Sequence, residues 1–338
     1  MIVVTTAVVT LLNQTMKLKN QIKSLLKYVL LAPSGYNSQP WKFKLGDDSL
    51  EILPDYDRAR INTDPDYREF FMSLGAAAAN LQVSADHFGL AYEKSYRLDN
   101  QKNDYAIIFK FSKENIPPTY SPLFSAIKTR HTNRFPYENI NISKNILADL
   151  KKIPHRDSIE LNLITRPGDI TSFSKLIRKS ILAWHRNQLM VEELETWLRD
   201  DLEISKDGLP TSVLSLYKLG INAKYFLLKD DPDLVNRSLH HQNLAKNAPA
   251  LGLISTKSDT VEDLFSAGEF FELFFLTLAA HGLTLDFFNH PLTMNKTRQE
   301  TAKAFSSHFL SQLLFRFGSP TIIPPRTPRR PLRDLIIS

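Results

Sequence analysis

The sequence contains no cysteine, and this absence excludes several kinds of chemistry at once. Disulfide bonds, thiolate nucleophiles, cysteine-ligated zinc and iron–sulfur clusters all require that residue. Glycine is also scarce, at 11 of 338 residues, and the sequence has neither a GxGxxG nor a GxxxxGK[ST] motif. A phosphate group in this protein would therefore have to be bound by side-chain cations rather than by a glycine-rich loop.

Long apolar runs are absent as well. No run approaches the roughly 18 residues that a membrane-spanning helix needs. The apolar start at residues 2–12 is short and has no basic segment before it, so we do not expect a secretory signal. With 43% hydrophobic and 23% charged residues, the composition is that of an ordinary globular protein. We expect a cytoplasmic protein without a membrane partner.

The net charge of +6 and the pI of about 9.2 raise the hypothesis of a nucleic-acid partner. The basic residues are scattered, however, and no helix-turn-helix, zinc-finger or RNP pattern occurs. No Ser-His-Asp, HExxH or paired-carboxylate signature stands out, and the pair His240-His241 has no companion ligand nearby in the sequence. We therefore expect no nucleic-acid partner, no metal and no catalytic side chain of these kinds.

Alternation and helical periodicity predict a mixture of helices and antiparallel strands. The predicted helices cover residues 20–31, Phe70–Phe88, Ser143–Lys152, Ile170–Leu198 and Ala267–His281. The predicted strands are Trp41–Leu45, Leu50–Leu53, Tyr92–Leu98, Tyr105–Phe111, Ile159–Thr165, Ala250–Ser255 and Leu313–Phe317. The Pro117-Pro118 break divides the chain into halves at 1–118 and 119–338, and residues 200–230 are interpreted as a lid or connecting excursion.

One internal similarity relates the two halves. Ser73-Leu74-Gly75 is followed fourteen residues later by Gly89-Leu90, and Ser266-Ala267-Gly268 is followed fourteen residues later by Gly282-Leu283. The first interval is rich in alanine and the second in phenylalanine, a combination that suits two helices packed face to face. Coincidence is the alternative, because the pattern is short.

Three segments carry the residues best suited to binding a ligand. They are APSGYNSQPW (Ala32–Trp41), RHTNR (Arg130–Arg134) and PRTPRRPL (Pro325–Leu332). Guanidinium groups match phosphate because two N–H donors meet two oxygens at once. Carboxamides both donate and accept, which suits the polar edge of a flavin or its ribityl hydroxyls. Each segment also has a purely structural interpretation. The first would be an Asx turn that caps the preceding helix. The second would be a helix end whose positive charges interact favourably with the helix dipole. The third would be a disordered basic tail.

These segments, together with DPDYREFFMSLGAAAANL, resemble the nitroreductase family of flavoproteins and, within it, the long, internally duplicated Acg-like branch. The resemblance implies an α+β, nitroreductase-like fold in which two fused half-domains form a pseudo-dimer, with central sheets flanked by helices. Family members are usually homodimers with two FMN sites at the interface. One subunit supplies an arginine–serine/threonine–arginine segment and a C-terminal arginine, and the other supplies the PSxxNxQPW turn.

This chain has one copy of each contribution, so we expect a single FMN per chain and a monomeric pseudo-dimer, with further dimerisation open. The FMN-binding residues that the resemblance implies are Pro33, Ser34, Asn37, Gln39, Arg130, Thr132, Arg134, Arg329 and Arg330. Of the last two, Arg330 is the better match to the family arginine. His131 is interpreted as solvent-facing, and Trp41 as part of the core.

The resemblance further implies an FMN-dependent oxidoreductase that uses NAD(P)H to reduce nitro or quinone-like small-molecule acceptors. The alternative is a non-catalytic FMN-binding or FMN-sequestering stress protein whose flavin is covered by the lid. Both hypotheses assign the redox chemistry to the flavin, and neither assigns a catalytic side chain.

Overall fold

The structure is a computed structural model, and it describes residues 17–199, 205–213 and 233–337. The helices are α1 at 17–29, α2 at Arg68–Phe88, α3 at Pro122–Thr129, α4 at Lys144–Lys151, α5 at Pro167–His185, α6 at Gln188–Trp197, α7 at Asp233–Lys246, α8 at Val261–Ala280 and α9 at Asn295–Ala304. The strands are β1 at Trp41–Leu45, β2 at Ser49–Pro54, β3 at Leu90–Asp99, β4 at Asp104–Asn115, β5 at Ile159–Ile164, β6 at Leu198–Arg199, β7 at Leu209–Pro210, β8 at Ala250–Thr256, β9 at Thr284–Phe287, β10 at Leu310–Gly318 and β11 at Ile336–Ile337. The apolar start at 2–12 lies outside the described residues.

The strands form two larger sheets, one mostly from each half of the chain. The order is β11-β1-β2-β4-β3 in the first sheet and β5-β8-β10-β9 in the second, and the short β6 and β7 pair in parallel. The predicted hairpin is present, with Leu45 opposite Leu50. Trp41 is fully buried in the core, as predicted. The predicted α+β architecture is therefore confirmed.

The last strand of the chain returns to the first sheet. β11 runs parallel to β1, with Ile336 opposite Phe43, and the Phe43 amide donates to the Leu335 carbonyl at 2.8 Å. The second half thus completes the sheet of the first half. Because of this return, the C-terminal segment that contains residues 325–330 is fixed beside the end of α1.

The two central helices, α2 and α8, cross at a pair of glycines. A Cβ atom on Gly75 would lie 2.1 Å from the Phe265 carbonyl oxygen, and one on Gly268 would lie 2.0 Å from that of Met72. The repeated SxG pattern therefore marks the crossing, and the closest approach is made by glycines rather than by alanines against phenylalanines. The second glycine of each repeat, Gly89 or Gly282, has positive φ where its helix ends, as is common at helix C-termini.

Gly75→Ala should destabilise the protein by about 3 kcal/mol or more, since the added methyl meets backbone that no rotamer change can move aside. Gly168→Ala in α5 is the matched control, because nothing lies within 4 Å of its Cβ position, and it should be neutral or stabilising by up to about 1 kcal/mol. Urea unfolding of both variants measures the difference. Equal stability of Gly75→Ala and the wild type would contradict the crossing.

One expectation about the helices was wrong, and one short strand was not predicted. The helix predicted over Ile170–Leu198 is broken after His185, because Asn187 has extended backbone (φ −90°, ψ 105°) from which α6 starts in a new direction. The four-residue strand β9 was not predicted. It pairs with β10, and its Leu285 forms a bridge with Thr132 that fixes the RHTNR segment. Across 17–199, 205–213 and 233–337, no helix has both the length and the apolar character to cross a bilayer.

Candidate functional site

A cavity of about 280 Å³ lies where the three predicted segments meet. It is near the lower end of the range for small-molecule sites, roughly 300–1,000 Å³. The turn after α1 and the start of α2 form one side, and the loop after α3 and the C-terminal segment form another. The end of α5, helix α6 and residues of 205–213 close over it.

The turn after α1 presents Pro33, Ser34 and Asn37 to the cavity. Tyr36, Asn37 and Gln39 all have left-handed backbone, with φ of 53°, 55° and 52°, and the Ser34 hydroxyl accepts from the Gln39 amide at 2.9 Å. Gln39 does not line the cavity. Its side-chain Oε1 accepts from the Arg330 backbone amide at 2.8 Å, and its side-chain Nε2 donates to the Lys206 carbonyl at 3.0 Å. Gln39 therefore ties three segments together behind the cavity wall.

The RHTNR segment contributes Arg130, Thr132 and Arg134 to the cavity. Arg130 donates from Nη2 to the Leu31 carbonyl at 2.7 Å, and its guanidinium lies 4.8 Å from the centre of the Phe275 ring. Arg134 is more open, with its Nε 3.9 Å from a carboxylate oxygen of Asp286. The segment thus places one buried and one half-buried guanidinium on the same cavity.

The C-terminal segment presents Arg329, not Arg330, to the cavity. Arg329 donates to Asn37 Oδ1 at 3.0 Å and to the Leu30 carbonyl at 2.7 Å. Arg330 instead has its Nη1 3.3 Å from Oδ2 of the buried Asp55. Arg329, rather than the preferred Arg330, is therefore the arginine that this cavity offers to a ligand.

A further arginine of the same segment, Arg326, was missed and also lines the cavity. It belongs to PRTPRRPL, so the signal was present in the sequence. Burial, with the charges of Arg130 and Arg326 adding to it and Glu272 opposing it, lowers the pKa of Arg329 to about 9. Burial likewise lowers the pKa of Arg130. We call Arg130, Arg326 and Arg329 the arginine cluster. Within it, burial and neighbouring positive charge disfavour the charged forms of Arg130 and Arg329.

The carboxylate that pairs with the arginine cluster is that of Glu272, in α8. It is fully buried, and its Oε1 lies 3.3 Å from Arg130 Nε. Its Oε2 has no hydrogen-bond partner among the described residues. Burial raises the pKa of Glu272 to about 7, even though Arg130 and Arg329 favour its charged form. Near neutral pH the acid is only partly ionised, so it leaves room for an anion at the arginine cluster.

A second charged group in the cavity wall was not foreseen. Arg60 lies 2.6 Å from Glu69 and 4.5 Å from the centre of the Tyr36 ring, and Asn289 donates to the other Glu69 oxygen at 2.7 Å. Burial opposes the charge of Glu69, but Arg60 and these hydrogen bonds outweigh it and lower its pKa. Burial raises the pKa of Tyr36 to about 12. This network connects the turn to α2 and to Asn289, and it carries no local sequence signal.

Two histidines have surroundings that the sequence did not indicate. His131 lines the cavity instead of facing solvent, and its Nδ1 lies 2.8 Å from the Thr129 carbonyl. His241 is not isolated, because it lies beside His290, which in turn lies beside His185. These companions come from distant parts of the chain. Within the described ranges, no group of histidine and acidic residues has the arrangement of a metal site.

Helix α6 and residues 205–213 lie over the cavity, and we call these two segments together the cover. Glu193 of α6 accepts from the backbone amides of Asn62 and Thr63 at 3.0 and 2.7 Å. Asp207 pairs with Arg58, and the Gly208 amide donates to the Asn37 carbonyl at 3.4 Å. The remaining residues of the lid predicted at 200–230 lie outside the described residues. The cover is thus tied to the turn that lines the cavity.

Sequence comparison finds relatives that match nearly the whole chain, although no protein-family model matches it. The chain is 24% identical over 328 residues to the "Putative NAD(P)H nitroreductase acg" of Mycobacterium tuberculosis, covering 95% of this chain and 96% of that protein. A second "Putative NAD(P)H nitroreductase" of that bacterium is 24% identical over 325 residues, covering 93% and 90%. The resemblance to nitroreductases and to Acg that the motifs predict is confirmed.

Two solved structures show a partial likeness. One is the FMN-dependent nitroreductase NfnB from Mycobacterium smegmatis in complex with NADPH, at 13% identity, with a TM-score of 0.40 over 63% of this chain and 96% of that one. The other is a nitroreductase with bound FMN from Desulfitobacterium hafniense, at 11% identity, with a TM-score of 0.39 over 65% and 99%.

Proposed function

We propose that this chain is an FMN-dependent oxidoreductase of the nitroreductase type, with one FMN site built from both of its halves. The observation that carries the proposal is the arginine cluster, which lines one cavity with the Ser34–Asn37 turn and in which burial and neighbouring positive charges lower the pKa values of Arg130 and Arg329. A phosphate would relieve that repulsion through charge-assisted hydrogen bonds. Arg130, Arg326, Arg329 and Thr132 would hold the phosphate, and the turn and Arg134 the rest of the cofactor.

In this proposal, bound FMN supplies the redox chemistry between NAD(P)H and a nitro or quinone-like acceptor. The protein positions the cofactor: the left-handed turn at residues 36–39 is fixed by Ser34 and Asn37, and the cover excludes water. The site is divided between residues 33–37 of the first half and residues 130–134 and 325–329 of the second half. This division supports a fused pseudo-dimer in which one of two ancestral sites is complete.

Anaerobic addition of NADH or NADPH to the FMN-loaded protein tests the activity. Bleaching of the flavin absorbance within seconds, and its recovery on adding a nitroaromatic or a quinone, would support the oxidoreductase. Flavin that stays oxidised with both nucleotides would contradict it and would favour the second candidate, an FMN-binding or FMN-sequestering protein. The observation that favours that second candidate is the cover, which is hydrogen-bonded to the amides of residues 62–63 and to the Asn37 carbonyl and so closes one side of the cavity.

Loosening the cover should separate the two candidates further. The double variant Glu193→Ala, Asp207→Ala removes charged hydrogen bonds to residues 62–63 and to Arg58. Since each such bond contributes about 1.5–3 kcal/mol, opening should become at least about tenfold more frequent. We expect flavin reduction by NAD(P)H to accelerate by a similar factor in stopped-flow absorbance. Glu262→Ala, which removes an ion pair with Arg156 away from the cavity, is the control; an unchanged rate in the double variant would show that the cover does not limit access.

A further inference from the structure

The crossing of α2 and α8 has the contacts of a two-fold axis. A Cβ atom on Gly75 would meet the Phe265 carbonyl oxygen, and a Cβ atom on Gly268 would meet that of Met72. Met72 lies three residues before Gly75, and Phe265 lies three residues before Gly268. Surfaces related by a two-fold axis make reciprocal contacts of this kind, in which residue i contacts residue j and j contacts i. Each feature on one side of the crossing should therefore have a counterpart on the other side.

The cavity has such a counterpart, and the SxG repeat locates it. The cavity wall includes Ala76, which directly follows Gly75 in α2. It also includes Phe287 and Asn289, which lie five and seven residues after Gly282. The residues at the same positions of the other repeat are, in the same order, Glu269 of α8 and Lys94 and Tyr96 of β3. These three mark the place where a second cavity would lie.

In that place the three counterpart side chains contact one another. The Lys94 ammonium pairs with the Glu269 carboxylate, and the Tyr96 hydroxyl donates to Glu269 Oε1 at 3.0 Å. The centre of the Tyr96 ring also lies 5.6 Å from that of Phe265 and 5.4 Å from the Arg156 guanidinium. We call Lys94, Tyr96 and Glu269 the plug. Where α2 has an alanine and leaves space, α8 thus has a glutamate, 12% exposed, that accepts from two side chains.

The plug also offers no free cation to a phosphate. Its ammonium group is paired with Glu269, and Arg156 beside it pairs with Glu262 at 2.5 Å. The sequence contains no second RxTxR segment and no second NxQPW turn. The counterpart therefore differs from the cavity both in the volume that its side chains occupy and in its charge.

We propose that the plug fills the second ancestral flavin site, and that its volume alone keeps a flavin ring out of this side of the pseudo-dimer. Protein interiors are close-packed, so a site that no longer binds its ligand is stable when side chains take up the volume of that ligand. The inference rests on the proposed function, because it assigns the single flavin per chain to named side chains. Placing the residues of the cavity at the three plug positions should reopen room for a flat ring without a phosphate.

Equilibrium dialysis of the FMN-loaded protein against lumiflavin, which is the flavin ring system without the ribityl phosphate, tests this inference. The triple variant Glu269→Ala, Lys94→Phe, Tyr96→Asn copies the cavity residues onto the counterpart. We expect one FMN and no lumiflavin in the wild type, and one of each in the triple variant, quantified by chromatography after release on heating. Glu93→Phe, Ser95→Asn is the matched control, because these exposed residues lie on the opposite face of β3, and it should bind no lumiflavin.

The double variant Lys94→Met, Glu269→Gln separates volume from charge. Both replacements nearly conserve side-chain volume, and such changes are the ones that folded proteins tolerate best. This variant should still exclude lumiflavin, and it keeps the inference testable if the triple variant does not fold.

Lumiflavin bound beside FMN in the wild type or in the double variant would overturn the inference. A triple variant that is folded by circular dichroism and binds no lumiflavin would overturn it as well. Failure of the proposed function has a different signature, because the wild type would then bind no FMN or hold FMN that NAD(P)H does not reduce. A wild type that binds one reducible FMN, together with either overturning result, would reject this inference alone.

Discussion

Replacing Arg130 and Arg329 together with alanine should abolish FMN binding at micromolar concentrations. Both guanidiniums line the cavity, and burial and the charge of Arg130 lower the pKa of Arg329; a bound phosphate would relieve the repulsion between the two arginines. Charge-assisted hydrogen bonds contribute about 1.5–3 kcal/mol each, so losing two of them should weaken binding by a factor of about a hundred to ten thousand. Flavin fluorescence during titration of the apo-protein measures the dissociation constant directly.

Arg330 provides the matched control for this experiment. It neighbours Arg329 and is also flanked by a proline, but it pairs with Asp55 instead of lining the cavity. Arg330→Ala should therefore bind FMN within about threefold of the wild type, even if its stability falls slightly. The opposite pattern, with FMN lost in Arg330→Ala and kept in the double variant, would show that the phosphate is bound elsewhere. Circular dichroism on each variant separates loss of the site from loss of the fold.

Glu272→Gln should bind FMN about tenfold more tightly than the wild type at pH 8 and equally tightly at pH 6. The pKa of Glu272 is raised to about 7 by burial, so at pH 8 the wild-type carboxylate is mostly ionised beside Arg130. If FMN binds only the protein in which Glu272 is protonated, binding at one pH unit above that pKa is weaker by about tenfold, or about 1.4 kcal/mol. Because the FMN phosphate also titrates near pH 6, the informative quantity is the ratio of the two proteins at each pH.

The same pKa fixes the sign of a stability effect. The native state holds the Glu272 proton up to about pH 7, while the ordinary value for glutamate is 4.5. The unfolded chain therefore binds fewer protons between these pH values, and the free energy of unfolding should fall as pH rises through that window. Glu272→Gln should flatten this dependence. Glu160→Gln, a change outside the cavity, serves as the control, and identical pH profiles for Glu272→Gln and wild type in both binding and unfolding would contradict the account.

The local motifs predicted much of the site because their residues are neighbours in the sequence. The turn containing Ser34 and Asn37 and the segment containing Arg130 and Thr132 both line the cavity, since a short segment fixed at its ends presents its side chains together. The choice between Arg329 and Arg330 was not predictable in this way. It depends on the pairing of β11 with β1, a contact across almost the whole length of the chain.

Three histidines of the cavity wall, His185, His241 and His290, show the same limit more strongly. Each is separated by about fifty residues from the next along the chain, and each alone has the pattern of an ordinary polar residue. Packing of α5 against α7 and of the turn after β9 brings them together. The SxG repeat behaved differently. It predicted a helix pair correctly because each repeat contains two glycines that the backbone requires. The first allows the close approach at the crossing, and the second adopts the positive φ at the end of the helix.

The central claim is one FMN site per chain, made by both halves. The most direct measurement is the visible absorbance of the purified protein saturated with FMN and freed of excess, followed by quantification of the flavin released on heating. The account predicts one FMN per chain. A protein that stays colourless after incubation with FMN would contradict it, and so would two FMN per chain, which would mean that both ancestral sites are intact.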